Sequence, residues 1–166
     1  MCVTIVSVLA AVAAPLVDGA MRTYALSTAA QTVAAQIRQA RMLAVSRNLT
    51  MRVRFNCPGV NQYRIVEFVG NAAIDQAADR CSEAAYPYPD QNAAARPDAD
   101  RPVIRLPENA TFTAVMDLEV ANTGRVTRLT GCPNCVAAAG NASLTLGNGS
   151  TTRVVQVTPN GQVQIQ

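Results

Sequence analysis

The pattern of hydrophobic and polar positions divides the chain into an apolar start, a one-sided helix and a series of alternating segments. Residues 1–17 carry no charge, and as a helix they would span about 25 Å, just short of a bilayer core. From Ala20 to Asn48 there is no Pro or Gly. One apolar stripe there repeats every three or four residues: Leu26, Ala30, Val33, Ile37, Ala40 and Ala44. This pattern predicts one helix of about 45 residues, kinked near Pro15.

Three interpretations of the apolar start are open from the residues alone. A secretory signal peptide would need a basic region ahead of the apolar run, which is absent, although residues 11–13 resemble a small-residue cleavage site. A lone membrane anchor would have to include Pro15, which disfavours a regular helix. The favoured interpretation is that the chain begins partway through a longer apolar helix, because the helical pattern resumes directly after Asp18 and Gly19.

After Asn48 the period changes from helical to alternating, which predicts antiparallel strands. A hairpin is expected over 50–56 and 63–69, followed by strands at 103–106, 111–115 and 125–129 and a closing meander over 143–146, 152–158 and 162–165. Residues 71–101, rich in Ala, Asp, Pro and Asn, are interpreted as a long surface insertion with a short helix near 74–79. The fold class is therefore α+β, with a long N-terminal helix packed on an antiparallel β-sheet domain.

Composition removes most catalytic chemistry. The chain has no His, which excludes Ser-His-Asp and Cys-His catalysis and the usual zinc and haem sites. All fourteen cations are Arg, so a Walker-type phosphate loop and a Schiff-base lysine are also excluded. The net charge of +3 permits an anionic partner without requiring one. We therefore predict no enzyme activity and no cofactor.

Five cysteines are informative in a chain of this length. Cys2 falls in the apolar helix and is predicted to be a buried thiol. The other four predict two disulfides, and Cys57–Cys81 with Cys132–Cys135 is favoured because near pairs close the shortest loops.

Residues 132–135 also have the C-x-x-C form of a thiol oxidoreductase. They lie between strand signals and not at the start of a helix in a βαβ unit, which favours a structural staple over redox catalysis. A zinc site of four cysteines is a third, less favoured interpretation, because their spacing matches no recognised zinc motif.

Acidic residues concentrate in the predicted insertion. They are Asp75, Asp79, Glu83, Asp90, Asp98 and Asp100. Their spacing matches no calcium loop, so a solvated loop is favoured over a calcium site.

Three stretches of the sequence resemble one known family. They are V-L-A-A-V-A-A-P ending at Pro15, A-A-Q-I-R-Q-A-R-M-L-A-V-S-R-N from Ala34 to Asn48, and L-T-L-G-N-G-S-T-T-R-V-V-Q-V-T-P-N-G-Q-V from Leu144 to Val163. In this order and spacing they resemble the GspH/FimT-like family of minor pseudopilins and minor pilins, which implies a type IV pilin-like fold.

The resemblance implies a structural role in a filament. Residues 1–19 would form the transmembrane or filament-core half of the helix, 20–48 its amphipathic half, and 49–166 a periplasmic β-domain. The implied partners are other pilins or pseudopilins, an inner-membrane assembly platform, and membrane lipid before assembly. Assembly contacts are expected along the helix at Val3, Ile5, Val8, Leu9, Pro15, Leu26, Val33 and Ile37, with the last three shared between the chain's own sheet and its neighbours.

The start of the chain departs from the family pattern. Members begin with a basic leader, a cleavage glycine and a Phe-Thr-Leu-Ile-Glu-like segment, and aligned on Pro15 this chain starts inside the mature sequence. The expectation is that the chain as given would neither be processed by a prepilin peptidase nor enter a filament efficiently.

DNA is a further, less favoured partner. Some FimT-like minor pilins take up DNA through basic residues in the C-terminal hairpin, where this chain has glutamines and, of the arginines, only Arg153. Arg52, Arg54 and Arg64 are expected to form a small basic patch on the first hairpin, for DNA or for general surface contact.

Overall fold

The structure, a computed structural model, describes residues 2–89, 97–132 and 135–166, with side chains from residue 19 onward. The first element is a long helix, α1 (Cys2–Arg47), and a second helix, α2 (Ala72–Asp75), is a single turn capped by the Asn71 side chain. Among the described residues, no helix has a stretch that is both long and apolar enough to cross a membrane.

Ten strands follow in the described part of the chain. They are β1 (Thr50–Phe55), β2 (Gln62–Phe68), β3 (Ile104–Arg105), β4 (Thr111–Ala114), β5 (Leu118–Val120), β6 (Val126–Thr130), β7 (Val136–Ala138), β8 (Ala142–Gly147), β9 (Thr152–Val157) and β10 (Val163–Ile165). The predicted strands are present, and their ends differ from the prediction by at most one residue. β5 and β7 were not predicted, because Val-Ala-Ala in β7 shows no alternation and Leu-Glu-Val in β5 shows one without a Pro or Asn-Gly turn directly beside it. The single turn α2 is shorter and begins earlier than the predicted helix near 74–79.

The strands form two antiparallel sheets. The first has the order β3-β2-β1-β5-β6-β7 and the second the order β10-β9-β8-β4. The helix contacts both, through β1 and β5 of the first sheet and β8, β9 and β10 of the second. The predicted α+β class, with one long helix on antiparallel sheet, is therefore confirmed.

The core forms where the apolar stripe of α1 meets the inward faces of the sheets. Alternate residues of β1, namely Met51, Val53 and Phe55, are buried, while the intervening ones are only partly covered. On the helix, residues such as Leu26 and Ile37 are buried in the same cluster. Burial of each large apolar side chain contributes roughly 1.5–3 kcal/mol, so this stripe holds the helix on the sheets.

Three aromatic rings join the two sheets within this core. Phe55 and Tyr63, from the first sheet, stack with ring centroids 5.7 Å apart. Phe112, from β4 in the second sheet, meets both rings edge-on at 5.3 and 5.9 Å. Edge-on and offset arrangements of this kind are the favoured ones for aromatic pairs.

Arg41 joins the helix to the turns of both sheets. Its Nε donates a hydrogen bond to the carbonyl oxygen of Gly124, in the β5–β6 turn, at 3.1 Å. Gly161, in the β9–β10 turn, has a φ of +77°, and a Cβ there would lie 2.8 Å from Arg41 Cδ. Both the backbone angle and the closeness of Arg41 therefore require glycine at position 161.

Most described positions of the 71–101 segment are exposed or partly exposed, but buried charged residues anchor the segment to the first sheet. Arg80 and Asp100 are buried within it, and they lie beside Arg64 and Glu67 of β2, which are buried as well. Arg64 donates to the carbonyl oxygens of Arg101, Ser82 and Tyr86 at 2.7, 3.1 and 2.6 Å. The segment thus folds over β2 and is held there by charged groups whose pairing could not be predicted from the sequence.

Candidate functional site

The helix presents a second face that the chain's own sheets leave largely uncovered, apart from the hydrogen bond that Arg38 Nη2 donates to the carbonyl oxygen of Val163 in β10 at 3.1 Å. Met21, Tyr24, Met42 and Val45 are 67%, 76%, 65% and 52% exposed. They belong to a series of exposed positions spaced alternately by three and four residues: Met21, Tyr24, Thr28, Gln31, Ala35, Arg38, Met42 and Val45. This spacing places them along one side of α1 and is typical of helix–helix packing. We call these eight residues the outer helix face.

The buried stripe is a different surface and has no area left for a neighbour. Leu26, Val33 and Ile37 are at most 1% exposed, because the chain's own strands cover them. The expectation that they share their contacts with neighbouring subunits therefore needs correction, since they are core residues. The sequence analysis missed the outer helix face because several of its members are polar. Tyr24 and the two methionines, at this spacing, could have indicated it.

The remaining residues expected to carry assembly contacts are Val3, Ile5, Val8, Leu9 and Pro15. They lie outside the residues whose side chains the structure describes, as does Cys2. Their roles stay predictions.

The expected basic patch on the first hairpin is not an exposed patch. Arg64 is fully buried, and burial lowers its pKa, against the opposing effect of the Asp100 charge. Arg52 pairs with Glu119, with Nη2 and Oε2 2.8 Å apart, and its guanidinium covers the ring of Phe68.

Arg54 is also engaged, since its Nε lies 3.4 Å from Oδ2 of Asp117. Neighbouring carboxylates thus neutralise the two arginines that β1 was expected to present. Arg153 on β9 is exposed, in agreement with a surface position. This arrangement gives little support to DNA binding by the first hairpin.

The acidic residues of the 71–101 segment mostly serve its own folding. Asp75 accepts hydrogen bonds from the backbone N–H groups of Val69 and Gly70, at 3.0 and 2.8 Å. Glu83 accepts one from Val103. Asp90 lies outside the described residues. The described carboxylates do not form a group that could hold a calcium ion.

Two disulfides are present in the structure. Cys57–Cys81 spans 24 residues and joins the β1–β2 turn to the 71–101 segment. Cys132–Cys135 spans three residues and lies in the loop between β6 and β7. The four cysteines are thus engaged in pairs, which leaves no thiolates for a four-cysteine zinc site.

A carboxylate lies beside the shorter disulfide. A carboxylate oxygen of Asp117 and the sulfurs of Cys132 and Cys135 all lie within 4.8 Å of one another. Burial raises the pKa of Asp117, although the Phe55 N–H and the Arg54 guanidinium act against the shift. Asp117 and Cys132 line a surface cleft of about 520 Å³.

Comparison with known proteins identifies the family. The model of the family described as Type II transport protein GspH matches residues 29–161. No curated protein sequence matches the chain significantly.

Two solved structures are similar. One is the type IV minor pilin FimU of Pseudomonas aeruginosa, with a TM-score of 0.51, 15% identity, and coverage of 85% of this chain and 92% of that one. The other is the minor pseudopilin EpsH of the type 2 secretion system of Vibrio cholerae, with a TM-score of 0.49, 14% identity, and coverage of 85% and 95%.

The likeness to FimU supports the pilin fold, and the family match covers most of the β-domain together with the amphipathic half of α1 from residue 29 onward. The resemblance inferred from the sequence is therefore confirmed, and the chain belongs to the GspH family.

Proposed function

We propose that this chain is a structural minor pseudopilin of a type II secretion pseudopilus, which assists protein export across the outer membrane. The observation that carries the proposal is the GspH family match over residues 29–161. The outer helix face supports it. A helix that buries one stripe in its own core and exposes further apolar side chains such as Tyr24 and Met42 on another side is suited to packing against other helices.

Assembly would use the two halves of α1 in different ways. Before assembly, the uncharged residues 1–17 would hold the chain in the inner membrane, in contact with lipid and with the assembly platform. In the filament they would join a central bundle of helices. The outer helix face would then pack on neighbouring subunits, and the β-domain would face outward.

A deletion of the gene in its native host tests this proposal. We expect the proteins exported by the type II system to accumulate in the periplasm, and the gene supplied in trans to restore their release. A control for pilus function is surface piliation of the same strain, which should be unchanged. Normal release of the exported proteins would contradict the proposal.

The second candidate is a FimT-like minor pilin of a type IV pilus, acting in pilus assembly, adhesion or DNA uptake. The observation that favours it is the exposed Arg153 on β9, in the closing meander where the resemblance places DNA contacts. Loss of pili or of DNA uptake from the deletion strain, with secretion intact, would favour this candidate over the first.

A further inference from the structure

The cleft beside Cys132–Cys135 combines a disulfide, a carboxylate and an apolar wall. Its lining comes from the end of β1, the segment before β5 and the end of β6: Arg54, Phe55, Asn56, Cys57, Val115, Met116, Asp117, Leu129, Thr130, Gly131 and Cys132. Cys132 lines the cleft and both cysteines of the pair are partly exposed. A molecule in the cleft would therefore reach the Cys132 sulfur first.

The two disulfides differ in what they do for the fold. Cys57–Cys81 closes a 24-residue loop and includes the fully buried Cys81. Its reduction would remove a constraint on the unfolded chain and so lower the stability of the fold. Cys132–Cys135 closes a loop that is already closed by backbone pairing, because Thr130 pairs with Val136 in the β6–β7 ladder. Opening the shorter disulfide therefore leaves the surrounding strands in place.

We propose that Cys132–Cys135 is a thiol-exchange site, at which the cysteine thiolate of a peptide bound in the cleft attacks Sγ of Cys132. The new S–S bond forms as the Cys132–Cys135 bond breaks, and the electron pair leaves on Sγ of Cys135, which takes up a proton. A second thiol of the same class then attacks the peptide sulfur and releases Cys132 as a thiol. The partner is oxidised by two electrons to its disulfide, and the protein pair is reduced by two.

Asp117 influences the protonation of Cys132 and Cys135 once the disulfide between them has opened. Its carboxylate lies within 4.8 Å of both sulfurs, so a thiolate on either cysteine would face a like charge. Arg54 and Arg52 face the carboxylate from β1 and offset part of that charge. Repulsion by the carboxylate therefore favours uptake of a proton by the thiolate that leaves on Cys135 when the disulfide opens.

Limited reduction of the folded full chain tests this inference, with reduced glutathione as the peptide thiol. Free thiols are alkylated after each interval and located by tryptic mapping, since Arg128 and Arg153 bracket Cys132 and Cys135 on one peptide. We expect that peptide to be alkylated at least roughly tenfold faster than Cys57 and Cys81, with the circular dichroism spectrum unchanged. Equal rates, or reduction of the pair only in denaturant, would overturn the proposal.

Two matched variants test which sulfur is attacked. Cys135→Ser leaves Cys132 as the free thiol beside the cleft, and Cys132→Ser leaves Cys135 instead. With oxidised glutathione, we expect the mixed disulfide to form faster at Cys132 in the first variant than at Cys135 in the second. Equal rates, or the reverse order, would overturn the assignment of Cys132 as the more accessible sulfur, on which the proposed attack depends.

A comparison of thiols tests the role of the cleft. At matched thiolate concentration, glutathione should open the disulfide of the unaltered chain faster than 2-mercaptoethanol, because only the peptide contacts the cleft wall. No preference would show that exchange depends on exposure alone and would overturn peptide binding. None of these outcomes depends on filament assembly.

Discussion

Arg80 and Asp100 form a buried ion pair through two hydrogen bonds. Arg80 Nη2 donates to Oδ1 of Asp100 at 2.8 Å, and Nη1 donates to Oδ2. Arg80 Nη2 also donates to the carbonyl oxygen of Glu67 in β2, at 2.8 Å. The pair therefore connects the beginning and the end of the 71–101 segment to the first sheet.

Replacing Arg80 should destabilise the protein strongly. Arg80→Met leaves the Asp100 carboxylate buried with the Glu67 N–H as its hydrogen-bond donor and with Arg64 Nη2, 3.9 Å away, as the nearest positive charge. We therefore expect a loss of about 3–5 kcal/mol in the free energy of unfolding. Urea denaturation of the oxidised protein measures it. Arg105→Met, at an exposed arginine, is the control and should change stability by no more than about 0.5 kcal/mol. Similar losses in the two variants would contradict the role of the pair.

Asp117 should make stability depend on pH in a direction opposite to that of most paired carboxyl groups. Its pKa is raised in the fold above the ordinary 3.8, chiefly by burial. Its contribution to stability is therefore present below 3.8 and lost as the pH rises through the folded pKa. We expect the free energy of unfolding of the wild type, minus that of Asp117→Asn, to fall between acidic and neutral pH. Asparagine keeps an acceptor for the Phe55 N–H, and a difference that rises with pH would refute the assignment.

The hydroxyl of Tyr63 is buried without a hydrogen-bond partner among the described residues. Burial also raises the pKa of Tyr63, so the phenol should ionise only when the protein unfolds in alkali. Tyr63→Phe removes the unpaired group and keeps the ring contacts with Phe55 and Phe112. We expect it to be neutral or to stabilise by up to about 1 kcal/mol, measured by thermal unfolding. A clear destabilisation would indicate that the hydroxyl has a partner, such as a buried water.

Substitutions at two glycines distinguish the cost of backbone strain from the cost of steric overlap. Gly149 and Gly161 both have positive φ, at +89° and +77°, but a Cβ on Gly149 would meet nothing within 4 Å. Gly149→Ala should therefore cost only the strain of the left-handed conformation, about 1–2 kcal/mol. Gly161→Ala must also displace Arg41 and approach the Gly124 carbonyl oxygen at 3.0 Å, which should add about 1–3 kcal/mol. Equal losses of stability, measured by urea denaturation, would contradict the contact between Arg41 and the two turns.

The sequence predicted the elements whose signal is long and periodic. The stripe from Leu26 to Ala44 and the alternation of β1 each repeat often enough to identify a helix and a strand. The buried anchoring of the 71–101 segment was not predicted. Its Ala, Pro and Asp content is that of a loop, whereas its packing depends on Arg80 and Arg64, whose partners lie far from them in the sequence. Pairing of distant charged groups leaves no local pattern.

The candidate site was predicted in part. The resemblance pointed to the helix as the assembly element, but hydrophobicity alone selected the buried stripe and not the exposed face that includes Tyr24 and Met42. Arg52 and Arg54 were correctly placed on one strand face, yet their carboxylate partners come from the segment around β5, which was not predicted. The nearness of Asp117 to Cys132 likewise depends on how β5 and β6 pair.

Photo-crosslinking from the outer helix face tests the central claim most directly. Benzoylphenylalanine replaces Tyr24 in the protein expressed from its native locus. The matched control is the same replacement at Val60 in the β1–β2 turn, which is 78% exposed against 76% for Tyr24. We predict that illumination of cells joins position 24 to other pilin or pseudopilin subunits, and that position 60 gives much less product. Failure of position 24 to crosslink to any such subunit, while the variant still supports secretion, would contradict the account.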